Sequence, residues 1–130
     1  MRTRILLLIA FFQLATLAFG QQLNFYGTTS QGGGYDAGTI FKTDTNGVNL
    51  TTIYTFEEIS GELPSFPIIC EATNGKYYGV TFGGGRNGVG VIYEFNNQTK
   101  KYTTLYDFSV NTLGRNPTGG LIQATNGKLY

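Results

Sequence analysis

The phrase Ala-Thr-Asn-Gly-Lys occurs twice in this chain, at residues 72–76 and again at 124–128. Asn-Gly between two β-prone runs is a strong hairpin signal, because a two-residue type I′ turn needs positive φ at both central positions and these residues tolerate it best. Each copy therefore predicts a hinge between strands. The copies lie 52 residues apart, and the same offset sets Tyr26 against Tyr78 and Tyr78 against Tyr130. It also pairs Gly27 with Gly79, Gly38 with Gly90, Ile40 with Ile92, Tyr54 with Tyr106, and Phe56 with Phe108. These are turn glycines and strand aromatics, positions that backbone geometry and packing dictate. The sequence is a tandem repeat of a fold unit.

Ahead of the repeats, Arg2 and Arg4 precede an apolar run over residues 5–17, and Ala18-Phe19-Gly20 offers the small residues that a signal peptidase reads. The run is short for a membrane span and no basic stop follows it. Residues 1–20 are expected to be a signal peptide cleaved before Gln21, leaving a protein that is secreted or held at the cell surface and does not enter the membrane. Without the two leader arginines, seven Lys and Arg face eight Asp and Glu. That balance gives no reason to expect nucleic acid or an anionic membrane as a partner. Cys70 is the sole cysteine, so the chain has no internal disulfide, and histidine, the commonest general base and metal ligand, is absent.

The apolar residues follow no helical period, and glycine and aromatics are plentiful, which reads as all-β with many turns. Strands are expected at 24–29, 38–42, 50–56 and 66–73, with a glycine-rich loop at 31–36, a turn at 44–47 and a polar connection at 57–65. The second pass repeats them at 76–82, 90–96, 101–108 and 119–125, with its glycine loop at 83–88. Residues 21–130 thus form one tandem β-repeat domain: repeat 1 over about 24–75, repeat 2 over about 76–127, and residues 128–130 opening a third.

Four short antiparallel strands in each repeat match the blade of a β-propeller, so the expected fold is two four-stranded blade-like units of a propeller-like array. Two blades cannot close a ring, which predicts a fragment of a longer array, or an oligomer that completes one. A flat two-sheet sandwich or open stack is the structural alternative.

Tyr26-Gly27-Thr28-Thr29, residues 38–42 (GTIFK), 50–56 (LTTIYTF) and 119–130 (GGLIQATNGKLY) together resemble the GloVer tandem repeat of secreted and surface-anchored bacterial proteins, and the resemblance covers essentially all of the chain after its leader. It implies export and a multi-repeat β architecture. It brings no catalytic residues.

Candidate chemistry is sparse. Residues 83–88 satisfy G-x-G-x-x-G, but a dinucleotide site needs those glycines to open a helix, and here a strand follows, so the stretch is expected to be a flexible interstrand loop. Asp44-Thr45-Asn46-Gly47 resembles the start of a calcium loop without its later ligands, and is expected to be a hairpin turn. Glu71 is the one acid expected on an inner strand, and a single carboxylate makes no acid–base pair. No catalytic residue, metal or cofactor is therefore expected. Tyr26, Tyr78 and Tyr130, with Tyr54 and Tyr106, recur as packing positions do, and Cys70 reads as a buried apolar side chain. Ligand contacts are sought first at Tyr35, Arg86 and Asn87 in the glycine loops, where an exposed ring and polar groups suit a sugar. Asn49-Leu50-Thr51 and Asn97-Gln98-Thr99 match the glycosylation sequon.

The functional expectation is an exported non-enzymatic scaffold or recognition surface, with carbohydrate, a cell-surface protein, further repeats or copies of itself as partners. The alternatives are a fragment of a secreted carbohydrate-active propeller enzyme, and a small adhesin that oligomerises. Further repeats would favour the scaffold; a repeat carrying paired acids would favour the enzyme.

Overall fold

The computed structural model describes residues 23–64, 69–111 and 114–130. The expected leader therefore lies outside the described residues, as does most of the first half of the expected strand at 66–73. The chain forms β1 (Asn24–Thr29), β2 (Thr39–Asp44), β3 (Thr51–Thr55), a 3-10 turn (Glu58–Ser60), β4 (Glu62–Pro64), β5 (Cys70–Glu71), β6 (Tyr77–Gly83), β7 (Val91–Asn96) and β8 (Lys101–Asp107). The long strands sit within a residue or two of where β-branched and aromatic runs place them. The stretch at 119–125 is different: it makes only the isolated bridge Gln123 to Leu129.

The propeller expectation is wrong. The strands build two open sheets, a three-stranded meander β1-β2-β3 and a five-stranded sheet ordered β4-β6-β7-β8 with β5 also on β6, and neither closes or curls on itself. The even count of four strands per repeat fails because of where the chain crosses. After β3 it leaves the first sheet, and both β4 and β5 then pair antiparallel with β6, Pro64 opposite Thr81 and Cys70 opposite Tyr78. The segment read as a polar connection thus supplies a strand, and supplies it to the second sheet. What forms is the open two-sheet stack kept as the alternative.

The repeat is nevertheless copied in backbone detail. Each sheet carries the same register shift, between Ile40 and Phe41 and between Ile92 and Tyr93. Phe56 N–H donates to Gly38 O at 2.9 Å as Phe108 N–H donates to Gly90 O at 3.0 Å. A threonine hydroxyl accepts the first N–H of β2, from Thr39 to Thr29 Oγ1, and Thr81 Oγ1 does the same for Val91.

The Asn-Gly phrases are hinges, though of another type than expected. Gly75 has φ +73°, whereas Asn74 is not among the residues with positive φ, which excludes type I′. Gly75 N–H donates to Ala72 O and Ala72 N–H to Lys76 O, both at 2.9 Å, and Asn74 Oδ1 accepts the Lys76 N–H at 3.0 Å. This is a three-residue loop, a type I turn followed by a left-handed glycine. The copy at 124–128 repeats each of these bonds.

The core lies between the sheets. Ile40, Phe56, Val91, Tyr93 and Phe95 are fully buried, with Tyr77 and Ala37 beside them. Tyr54 of the first sheet stacks on Tyr102 of the second, ring centroids 4.5 Å apart and planes 3° from parallel. Phe56 meets Tyr93 edge-on at 5.3 Å, and Tyr26 meets Tyr77 at 4.5 Å. Burying such rings against one another gains the area term and about 0.5–1.5 kcal/mol per pair besides. Desolvation in this layer pushes the Tyr93, Tyr102 and Tyr77 hydroxyls well above the ordinary tyrosine value. The Tyr102 hydroxyl nonetheless has a partner, donating to Ser60 O.

Candidate binding cleft

Where the first repeat hands over to the second sheet, the 3-10 turn comes to rest on the second glycine loop. Gly85 N–H donates to Glu58 O at 2.7 Å. Gly84 makes that approach feasible: its φ is +69°, and a Cβ there would stand 2.5 Å from Glu58 O and 2.6 Å from Glu62 N. The loop that reads as a flexible nucleotide-motif lookalike is instead pinned, with Gly88 N–H on Gly85 O and Gly90 N–H on Gly84 O. A strand, β7, follows it, so it opens no helix and makes no phosphate cradle.

Between turn and loop lies a cleft of about 460 Å³ lined by Glu58, Ile59, Gly85, Arg86, Thr104 and Asp107. Asp107 Oδ1 accepts the Arg86 backbone N–H at 2.7 Å, which fixes the loop against β8. The cleft therefore offers a guanidinium, two carboxyl side chains, a hydroxyl and the apolar side chain of Ile59, which is 76% exposed. This mixture suits a polar ligand with an apolar face.

Of the residues singled out from sequence, Arg86 lines this cleft. Asn87 is its chain neighbour, but its side-chain amide is engaged, donating to Phe108 O at 2.8 Å. Tyr35 is exposed in the first glycine loop and does not line the cleft. Sequence reasoning missed Glu58, Ile59, Thr104 and Asp107. Glu58 and Ile59 lie in the stretch dismissed as a connection, and Asp107 stands where the other repeat has Thr55, a departure from the repeat that was the available signal.

Three acids outside the cleft are tied into local structure. Asp44, suggestive of a calcium loop, accepts Asn46 N–H and Val48 N–H on Oδ1 and the Asn49 side-chain amide at 2.6 Å on Oδ2. These bonds, that from Asn49 foremost, hold its carboxyl below the ordinary value. Asp36 accepts the Gly32 N–H at 2.8 Å. Glu94 receives Lys76 Nζ at 2.8 Å and the Tyr78 hydroxyl at 2.9 Å; the Lys76 contact first, then Tyr78, lowers its carboxyl pKa, and the same contact raises that of Lys76. Among the described residues, no group of three or more His, Cys, Asp or Glu is placed to share a metal ion. Tyr26 and Tyr54 pack against the core and Tyr78 is buried, while Tyr130 is exposed; Cys70 is half-buried on β5 with a free thiol.

Compared with known families, residues 13–130 match the Gloeobacter/Verrucomicrobia repeat. The chain belongs to that repeat family. The resemblance to a GloVer repeat holds at this level, and the Gloeobacter/Verrucomicrobia repeat spans both sheets, the cleft and the second Asn-Gly hairpin. No curated protein and no solved structure matches the chain. No helix among the described residues is long and apolar enough to cross a membrane.

Proposed function

We propose that this Gloeobacter/Verrucomicrobia repeat is an exported, non-catalytic module that serves outside the cell as a scaffold with a recognition cleft, and that the cleft takes an extended polar ligand such as an oligosaccharide. One observation carries the reading. Asp107, one of the two cleft carboxylates, is committed on Oδ1 to holding the Arg86 backbone N–H, and Asp36, Asp44 and Glu94 elsewhere are likewise bonded to turns or strands. A general acid and base need carboxyls free to exchange protons with a substrate. The basic-then-apolar leader supports export.

The test is titration of the isotopically labelled protein with soluble oligosaccharides, followed by amide shifts, alongside assay of released reducing ends. Saturable shifts at Ile59, Gly85, Arg86 and Thr104 without sugar release are expected. Release that is lost in Glu58→Gln or Asp107→Asn would overturn the non-catalytic reading, and shifts that avoid the cleft would overturn the site.

A further inference from the structure

The charge of the cleft is not something the fold requires. Glu58, Arg86 and Asp107, the charged residues that line it, stand at the repeat offset against Val110, Gly34 and Thr55, and none of these three carries a charge. Thr104, which also lines the cleft, keeps a threonine at its counterpart, Thr52. Packing and backbone geometry are thus served in both repeats, while charge is placed at this one junction. The segment that supplies Glu58 reinforces the sign, since residues 43–75 hold Asp44, Glu57, Glu58, Glu62 and Glu71 and not one Lys or Arg.

These charges are not closed on one another. Among the described residues the one ion pair joins Lys76 to Glu94, so Arg86 is not paired with Glu58 or Asp107. Asp107 commits one oxygen, Oδ1, to the Arg86 backbone N–H, and that bond is to the main chain, not to the guanidinium. Glu58 and Arg86 are exposed, and Asp107 is half-buried. Two acids against one base leave the cleft net acidic, and a charge drawn partly out of water attracts its opposite more strongly than one in bulk solvent.

Building on the reading of the cleft as a sugar site, we propose that its ligand is an amino sugar with the amine free, an oligomer whose rings carry ammonium groups. The ammonium faces Asp107 and Glu58, ring hydroxyls meet the Arg86 guanidinium and Thr104, and the apolar face of a ring lies against Ile59. Each lining side chain then meets a group of matching chemistry. A neutral sugar leaves both carboxylates facing hydroxyls alone, and a uronic acid sets like charge against them, so the cleft selects by sign as well as by shape.

Titration of the isotopically labelled chain in mildly acidic buffer, where sugar amines are protonated, tests this with three probes of equal length: a β-1,4-linked glucosamine tetramer, its fully N-acetylated counterpart and a uronic acid tetramer. The glucosamine tetramer should move the Ile59, Gly85, Arg86 and Thr104 amides with a Kd at least about 10-fold below that of the acetylated one. Added salt should narrow the ratio, and the uronic acid should bind most weakly. Glu58→Gln combined with Asp107→Asn keeps an acceptor for the Arg86 N–H and should bring the two Kd values together, with amides remote from the cleft unmoved. Equal Kd values for the amine and its acetylated form in the wild-type chain would overturn the amino-sugar assignment and leave the sugar site standing. A preference that survives in the double variant would also overturn it, because the carboxylates would not be its source. Absence of cleft shifts with all three sugars, with or without binding of a lysine tetrapeptide, would overturn both the assignment and the sugar site.

Discussion

Phe56 and Phe108 are the same residue of the repeat in two environments, and truncating each in turn isolates what covering by a neighbouring sheet contributes. Phe56 is fully buried, with Tyr54, Tyr93 and Tyr102 rings at 5.2, 5.3 and 5.8 Å. Phe108 keeps its own edge-to-face tyrosine, Tyr106, and is only half-buried. Cutting a buried Phe to Ala removes the transfer energy and leaves a cavity, about 3–5 kcal/mol. The upper part of that range applies to Phe56, because two of its ring partners stand on the opposing sheet and cannot collapse into the space independently. Phe108→Ala loses part of one apolar area term and one ring contact, roughly 1–2 kcal/mol.

The chain has nine tyrosines and no tryptophan, so urea unfolding can be followed by tyrosine fluorescence. The expected order is a large loss for Phe56→Ala and a small one for Phe108→Ala, differing by about 2–3 kcal/mol. A small domain holds about 5–15 kcal/mol in all, so Phe56→Ala should remove a large share of it and draw the urea midpoint far down. Equal losses for the two would refute the reasoning, since they would mean that the second sheet contributes nothing to holding Phe56.

Thr43 Oγ1 is buried without a hydrogen-bond partner, so Thr43→Val should stabilise by about 1 kcal/mol in thermal unfolding by relieving an unpaired hydroxyl. Gly75→Ala meets open space and should cost about 1 kcal/mol for its left-handed backbone alone, whereas Gly84→Ala also collides with the Glu58 and Glu62 backbone and should cost roughly 3 kcal/mol; similar costs would mean that the turn and loop do not touch as described. The Glu94 carboxyl is lowered by Lys76 and Tyr78, so its contribution is present above the ordinary carboxylate value and is lost as pH falls through the lowered one. Lys76 is raised by the same contact, so its contribution holds below the ordinary lysine value and disappears as pH rises through the raised one. Glu94→Gln should therefore flatten the acid limb of a stability–pH curve, and an unchanged limb would count against the pair.

Local signals in the sequence carried the strands further than the sheets. Val91, Tyr93 and Phe95 alternate with half-buried neighbours in β7, as period-two patterning requires, and glycines mark the loops. The Asn-Gly hinges were legible, but not their turn type: the rest of the loop, Thr73 at its head and the Asn74 side chain on the Lys76 N–H, favours a left-handed conformation at glycine alone. The crossing of β4 and β5 onto β6 was not legible. Leu63 takes φ +51° and donates its N–H to Ala37 O at 3.0 Å, so the chain is turned by a contact 26 residues back that no nearby pattern announces. The cleft escaped for the same reason, since Glu58, Arg86 and Asp107 come from three separate segments that meet only once that crossing is made.

The crossing also explains why one repeat cannot be understood alone. β4 and β5 are spelled by the first repeat yet complete the second sheet, and Tyr102 of the second repeat donates its hydroxyl to Ser60 of the first. Each unit therefore gives its last strands to the next sheet and its inward face to the next layer of rings. The same donation begins again at the C-terminal hairpin, where Ile122 and Tyr130 exchange both backbone bonds, at 3.0 and 2.9 Å, in the register of Cys70 and Tyr78. Stability in such a stack resides in the contacts between neighbours, and a sheet covered on one side holds less of it than a sheet covered on both. The half-buried Tyr106–Phe108 pair, against the wholly buried Phe56 of the first repeat, is where that deficit falls.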